Sequence, residues 1–213
     1  MSRQFRTLIA LAVLAVGGAI GTARGDVVIN EVYGGGGNSG APLKSDFIEL
    51  YNNGSGSVDL TGYKVSYASS SGTFNSSTTL SGSIAANSFY LIQEHTGTTG
   101  SDIPTPNATG GIDMSATKGA VELLDASANV LDLVGFGAVT STNYETSPAP
   151  AGDNSDSVQR VLDGVDTNNN STDFVSGAPT PGATNAASPV PEPASLAFLA
   201  AGGLALVARR RRI

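Results

Sequence analysis

The chain has no cysteine, no tryptophan and a single histidine, His95. Without thiols there is no disulfide, no thiolate nucleophile and no thiolate metal ligand. One imidazole without thiols cannot assemble a zinc site of the usual ligand types within one chain. A Ser-His-Asp triad would have to use His95, and no G-x-S-x-G elbow is present. His95 sits in a polar Thr/Gly-rich stretch, so it is expected to be solvated. Cations are scarce as well. Residues 26–193 contain all 18 Asp and Glu but only four basic residues, Lys44, Lys64, Lys118 and Arg160, giving this body a formal charge of −14. Such a body repels nucleic-acid phosphates, so no nucleic-acid partner is expected. Its acidity fits solubility outside the cell.

What is abundant is Gly, Ser, Thr and Asn, separating short runs of β-branched, aliphatic and aromatic residues, the composition of an all-β domain with many turns. A body of about 160 residues buries roughly 70% of its unfolded surface and needs no disulfide staple. The leading runs are Val27–Tyr33 and Asp46–Asn53, read as paired strands. Each carries an internal carboxylate, Glu31 or Glu49, which must face water or find donors. These acids are expected on a polar face or rim. In the second run, alternation sends Ile48 and Leu50 to the core and Phe47, Glu49 and Tyr51 to the opposite face.

Further strands are expected at Val58–Leu60, around Tyr63, Val65 and Tyr67, and at Ser88–Gln93. The runs Ala120–Leu124 and Val130–Phe136 form a hairpin through Asp125–Asn129, and Ser157–Leu162 is the last clear strand. Residues 68–79 read as a loop around Phe74, residues 94–118 as irregular, and residues from 175 onward as a proline-rich linker. Eight or so short strands without an amphipathic helix favour a sandwich over an α/β fold.

The order Ile29-Asn30-Glu31-Val32, Asp46-Phe47-Ile48-Glu49-Leu50-Tyr51-Asn52, Leu60-Thr61-Gly62-Tyr63, Ser157-Val158-Gln159-Arg160, Asp173-Phe174 and Pro179-Thr180-Pro181-Gly182 resembles the lamin-tail domain family. That resemblance implies an immunoglobulin-like β-sandwich over residues 26–185, of a kind found in nuclear lamins and many secreted bacterial proteins. It brings no enzymatic activity.

Two motif matches carry less. Gly35, Gly37 and Gly40 satisfy G-x-G-x-x-G after a strand, but Ala41–Ser45 is too short for the helix whose N-terminus would meet a pyrophosphate. The stretch is read as a flexible loop between strands. Around Asp166, oxygen-bearing residues alternate as in a calcium loop. Ser171 stands where an EF-hand needs glycine, Gly177 where it needs glutamate, and flanking helices are missing. Asp163, Asp166, Asn168, Asn170 and Asp173 remain candidates for a non-EF calcium site. The alternative is a run of Asx-turns, and no cofactor is called for.

The termini read as targeting segments. Residues 1–25 resemble a signal peptide: Arg3 and Arg6, an apolar run from Leu8 to Ile20, then small residues around Ala23. Near the other end, residues 186–193 form a proline-rich linker containing Pro191-Glu192-Pro193. Residues 194–208 are apolar or small and are read as a transmembrane helix. Residues 209–213 are a tail with Arg209, Arg210, Arg211 and Arg212. As a helix, residues 194–208 would be about 22 Å long, short of the roughly 30 Å hydrocarbon core. This order resembles the PEP-CTERM sorting signal of Gram-negative bacteria. The resemblance implies recognition by an exosortase, export across the inner membrane, a transient membrane hold and surface polysaccharide or envelope proteins as partners.

Two function classes follow. One is a non-catalytic exported surface module, with a calcium-binding adhesion module as its variant. The other is a secreted hydrolase using paired carboxylates among Glu31, Asp46 and Glu49. Glycosidic chemistry requires two such groups about 5–9.5 Å apart across a cleft.

Overall fold

The computed structural model describes residues 27–185, and the signal segment, the Pro191–Pro193 motif, the apolar stretch 194–208 and the arginine tail lie outside them. In chain order the elements are β1 (Val27–Tyr33), β2 (Ser45–Asn52), β3 (Val58–Asp59), β4 (Lys64–Ala68), β5 (Phe74–Thr79), β6 (Ser83–Ile84) and β7 (Ser88–Thr96). Then come β8 (Ala108–Thr109), β9 (Gly119–Leu124), β10 (Val130–Phe136), β11 (Ser157–Arg160), the one-turn helix α1 (Asn170–Asp173) and β12 (Phe174–Gly177).

The strands form a six-stranded sheet in the order β12-β11-β1-β2-β7-β8, a four-stranded sheet β10-β9-β4-β5, and the small pair β3-β6. All pairings are antiparallel except β7 with β8. The two larger sheets pack as an immunoglobulin-like sandwich. Ile29, Val32, Ile48, Leu50, Ile92 and Val158 of the six-stranded sheet share one buried cluster with Val65, Tyr67, Val121, Leu123, Val134 and Phe136 of the other. Alternation along each strand supplies these residues to the inner faces. Among the described residues no helix is long and apolar enough to cross a membrane.

The six-stranded sheet is buried on its outer face too. Tyr33, Phe47 and Leu91 form a second cluster there, with Leu43 and Ile103 against it. Hence Phe47 does face away from Ile48 and Leu50, yet it is as buried as they are. A register shift between Ile29 and Glu31 marks a bulge in β1. The extra residue, Asn30, lets Ile29 and Val32 both enter the core while Glu31 points outward.

Several loop expectations are corrected. Residues 74–79 form β5, an edge strand whose mostly exposed Ser and Thr side chains hid it from a hydrophobic pattern. Strand β7 runs on to Thr96 and carries the exposed His95. Residues 175–177, expected as the start of the linker, belong with Phe174 to β12. The glycine loop after β1 is packed, not free. Gly36 donates its N–H to Asp46 Oδ1 at 2.8 Å, Gly37 has φ +71°, and a Cβ at either glycine would collide with the backbone of Ser45 or Gly97.

Candidate functional site

Glu31 and Glu49 sit directly opposite one another on β1 and β2, facing outward. The expectation that they lie on a polar face or rim is wrong: both are fully buried. What covers them is the chain after β12. Residues 178–185 cross the outer face, and the carboxylates accept this segment's hydrogen bonds. Thr180 donates its N–H to Glu31 Oε1 and its hydroxyl to Glu31 Oε2, each at 3.0 Å. Gly182 N–H donates to Glu49 Oε2, and Asn185 N–H to Asp163 Oδ1 at 3.2 Å. Ser157 Oγ completes Glu31 at 2.6 Å. Glu49 Oε1 is buried without a hydrogen-bond partner.

Burial disfavours the charged form of both acids, and for Glu49 the opposed Glu31 adds to this. Burial pushes Glu31 up to about 7, against the lowering effect of its Ser157 and Thr180 donors. Glu49 is pushed up to about 8, first by burial and further by Glu31 and Asp163, while Gly182 N–H and the Asn30 amide act downward. Asp46, the third hydrolase candidate, is also buried. It takes Gly36 N–H and Met114 N–H at 2.8 and 2.9 Å, pinning two loops, and burial raises it to about 7.

On the inner face lies a second polar cluster. Arg160, fully buried, gives Nη2 to Asp132 Oδ2 at 2.8 Å and Nη1 to Asp173 Oδ2 at 3.4 Å, with Asp166 at 3.6 Å. Its Nε donates to Ile29 O at 2.7 Å, its carbon Cζ lies 4.5 Å from the Phe174 ring centroid, and Asp132 Oδ2 accepts from Ile29 N–H at 2.7 Å. The β1 bulge takes these Ile29 groups out of the ladder, and the ion pair satisfies them. This makes Arg160 the cap of the bulge.

Asp132, Glu145 and Asp166 bring carboxylate oxygens within 4.8 Å of one another. Burial raises Glu145 to about 8, with Asp132 and Asp166 adding to it and Arg160 opposing. The positive charge at this cluster is the Arg160 guanidinium.

The calcium candidates divide. Asp166 and Asp173 join Arg160, whereas Asp163 turns to Asn30 Nδ2 and Asn185 N–H. Asn170 is buried, its Oδ1 accepting Gly135 and Glu145 N–H and its Nδ2 donating to Leu133 O. Asn168 offers its backbone N–H to Asp166 Oδ1, an Asx-turn. Asp132 and Glu145 were not singled out by the sequence, and Arg160 stood out only as a basic residue and as the end of the Ser157–Arg160 motif. The available signal was a lone arginine, and a lone aspartate, inside runs with strand periodicity.

A groove of about 380 Å³ opens on the outer face between Phe89, Leu91, Pro104, Asn107 and Gly182, with no titratable side chain in its lining.

The Lamin Tail Domain family model matches residues 21–138, just over half of the 213 residues. The PEP-CTERM protein-sorting motif matches residues 189–212. No curated protein matches the chain. A crystal structure of a DUF4876 family protein from Bacteroides thetaiotaomicron is similar in fold, with a TM-score of 0.53 at 13% identity, covering 79% of this chain and 75% of that one.

Proposed function

We propose, because this chain belongs to the lamin tail domain family and carries a PEP-CTERM sorting motif, that it is an exported, non-catalytic cell-surface module. In this reading an exosortase-type protease recognises Pro191, Glu192 and Pro193 while the four terminal arginines stay on the cytoplasmic side by the positive-inside rule. Residues 26–185 are then displayed outside the inner membrane, where they contact surface polysaccharide or envelope proteins.

The observation that carries the non-catalytic reading is the burial of Glu31, Asp46 and Glu49. Each has a backbone N–H bound to its carboxylate. A general acid or nucleophile must reach substrate within hydrogen-bonding distance, and these three hold the fold's own backbone instead.

Mass spectrometry of the protein from its host tests the sorting step. The main surface species should lack Arg209–Ile213, and Glu192→Ala should accumulate uncleaved in the inner membrane. Intact chains ending at Ile213 as the main surface species would overturn it. Capture of labelled surface polysaccharide and envelope extracts on the immobilised mature protein tests the binding role, with retention expected. Turnover of glycoside or ester substrates that is lost in Glu49→Gln would overturn the non-catalytic assignment.

A further inference from the structure

We propose that residues 178–185 form a releasable strap, latched by Glu31, Glu49 and Asp163, whose opening lengthens the tether to the sorting motif and so regulates the processing protease's access. The regulatory half rests on the sorting role proposed above; the strap itself does not.

The strap is held by polar contacts and adds nothing to either hydrophobic cluster. Ala178, Gly182, Ala183 and Thr184 are exposed, and Pro179 and Pro181 only half-buried. Its attachments are Thr180 to Glu31, Gly182 to Glu49, Asn185 N–H to Asp163, and Asn185 Nδ2 to the carbonyls of Asn30 and Arg160 at 3.2 and 3.0 Å. A weak contact of 3.4 Å joins Gln159 Nε2 to Ala178 O. A segment bound this way can open locally while the sandwich stays folded.

The latch is also without a counterion. None of the ion pairs among the described residues involves Glu31, Glu49 or Asp163. The groups facing the two glutamates are Ser157 and Gln159 from β11, Asn30 from β1, Leu91 from β7, Asp163 from the following loop, and Thr180 and Asn185 from the strap. The cations nearest in sequence are engaged elsewhere: Lys44, near Glu49, pairs with Asp102, and Arg160, near Asp163, spends its guanidinium on the inner face.

With no cation facing the opposed pair, the closed strap favours a proton on it, for which the unpaired Glu49 Oε1 is the free position. When they ionise, water must reach them, and opening the strap admits it. Opening is favoured as pH rises through the region of 7 to 8 where these groups lose their protons.

The geometric consequence follows from chain length. With the strap closed, six Cα-to-Cα steps separate Asn185 from Pro191, a reach of about 20 Å at full extension. With it open, fourteen such steps run from Gly177 to Pro191, a reach of about 48 Å.

Hydrogen exchange of the full chain in detergent tests the latch, corrected for the intrinsic pH dependence of exchange. Between pH 5.5 and 8.5 the amides of Thr180, Gly182 and Asn185 should lose protection by about tenfold or more, while those of Val32 and Ile48 stay protected. Glu49→Gln should keep the strap protected at pH 8.5. Gly182→Pro removes the donor and forbids the positive φ of this position, so it should open the strap at every pH with core protection intact.

Strap exchange indistinguishable from the core at all pH values, or unaltered by Glu49→Gln, would overturn the latch. In the host, Gly182→Pro should be processed faster than wild type and Glu49→Gln more slowly. Equal rates would overturn the regulatory role. A wild-type chain that is never cleaved would refute the sorting reading instead, leaving the exchange result standing.

Discussion

Leu50 on β2 and Arg160 on β11 show how two residues of one sheet carry different kinds of stability. Leu50 is fully buried between the sheets, so Leu50→Ala removes apolar area and leaves a cavity. Urea denaturation should show a loss of about 2–5 kcal/mol. Arg160→Ala acts through charge. It strands Asp132, which has no exposed surface, and frees the Ile29 carbonyl at the bulge. Removing one partner of a buried pair costs about 3–5 kcal/mol, and the same titration should read it. Arg160→Lys should recover only part, because an ammonium cannot serve Ile29 O, Val165 O and two carboxylates at once. Leu162→Ser, on an exposed loop, should stay within about 0.5 kcal/mol of wild type.

At the level of elements, strands with an apolar inner face were legible because period-2 alternation is written in the residues themselves. Val27–Tyr33, Ser88–Gln93 and the β9–β10 hairpin are found where the pattern puts them. Strand β5 was not, since an edge strand of Ser and Thr pairs through its backbone and needs no apolar side. Nor was the burial of Glu31 and Glu49, because what covers them is a Pro-Thr-Pro-Gly segment about 130–150 residues downstream in sequence that reads as linker. The closing loop was half legible. Its alternating Asp and Asn were seen, but their partner is the guanidinium of Arg160, which periodicity does not reveal. With Asp166 and Asp173 so engaged and Asp163 turned to the strap, calcium should not be needed for folding. Thermal melts in calcium and in chelator should agree within about 2 °C, less than 1 kcal/mol for a chain of this size. A larger drop in chelator would mean that the folded state binds the ion.

Taken as a whole, the molecule concentrates negative charge and hides part of it. Glu31, Asp46, Glu49 and Glu145 are raised to about 7, 7, 8 and 8 from ordinary values near 4, in each case chiefly by burial. In the unfolded chain these groups lose their protons near pH 4, whereas in the folded protein they keep them to pH 7 or 8. Stability from this source is therefore full below the unfolded values and declines as pH rises through the folded ones. The melting temperature should fall between pH 5.5 and 8.5 by about 5 °C or more, each kcal/mol being worth about 2–4 °C at this size. Surface repulsion in a body of charge −14 acts in the same direction, so salt must separate the two. Exposed charges are screened beyond about 10 Å at 0.1 M salt, while buried groups are screened much less. A decline that persists in 0.5 M salt and shrinks in the double variant Glu31→Gln, Glu49→Gln assigns it to the buried pair. A melting temperature that rises toward pH 8.5, or a decline abolished by salt alone, would show that the outer-face carboxylates are ionised in the folded protein and that water already reaches them beneath the strap.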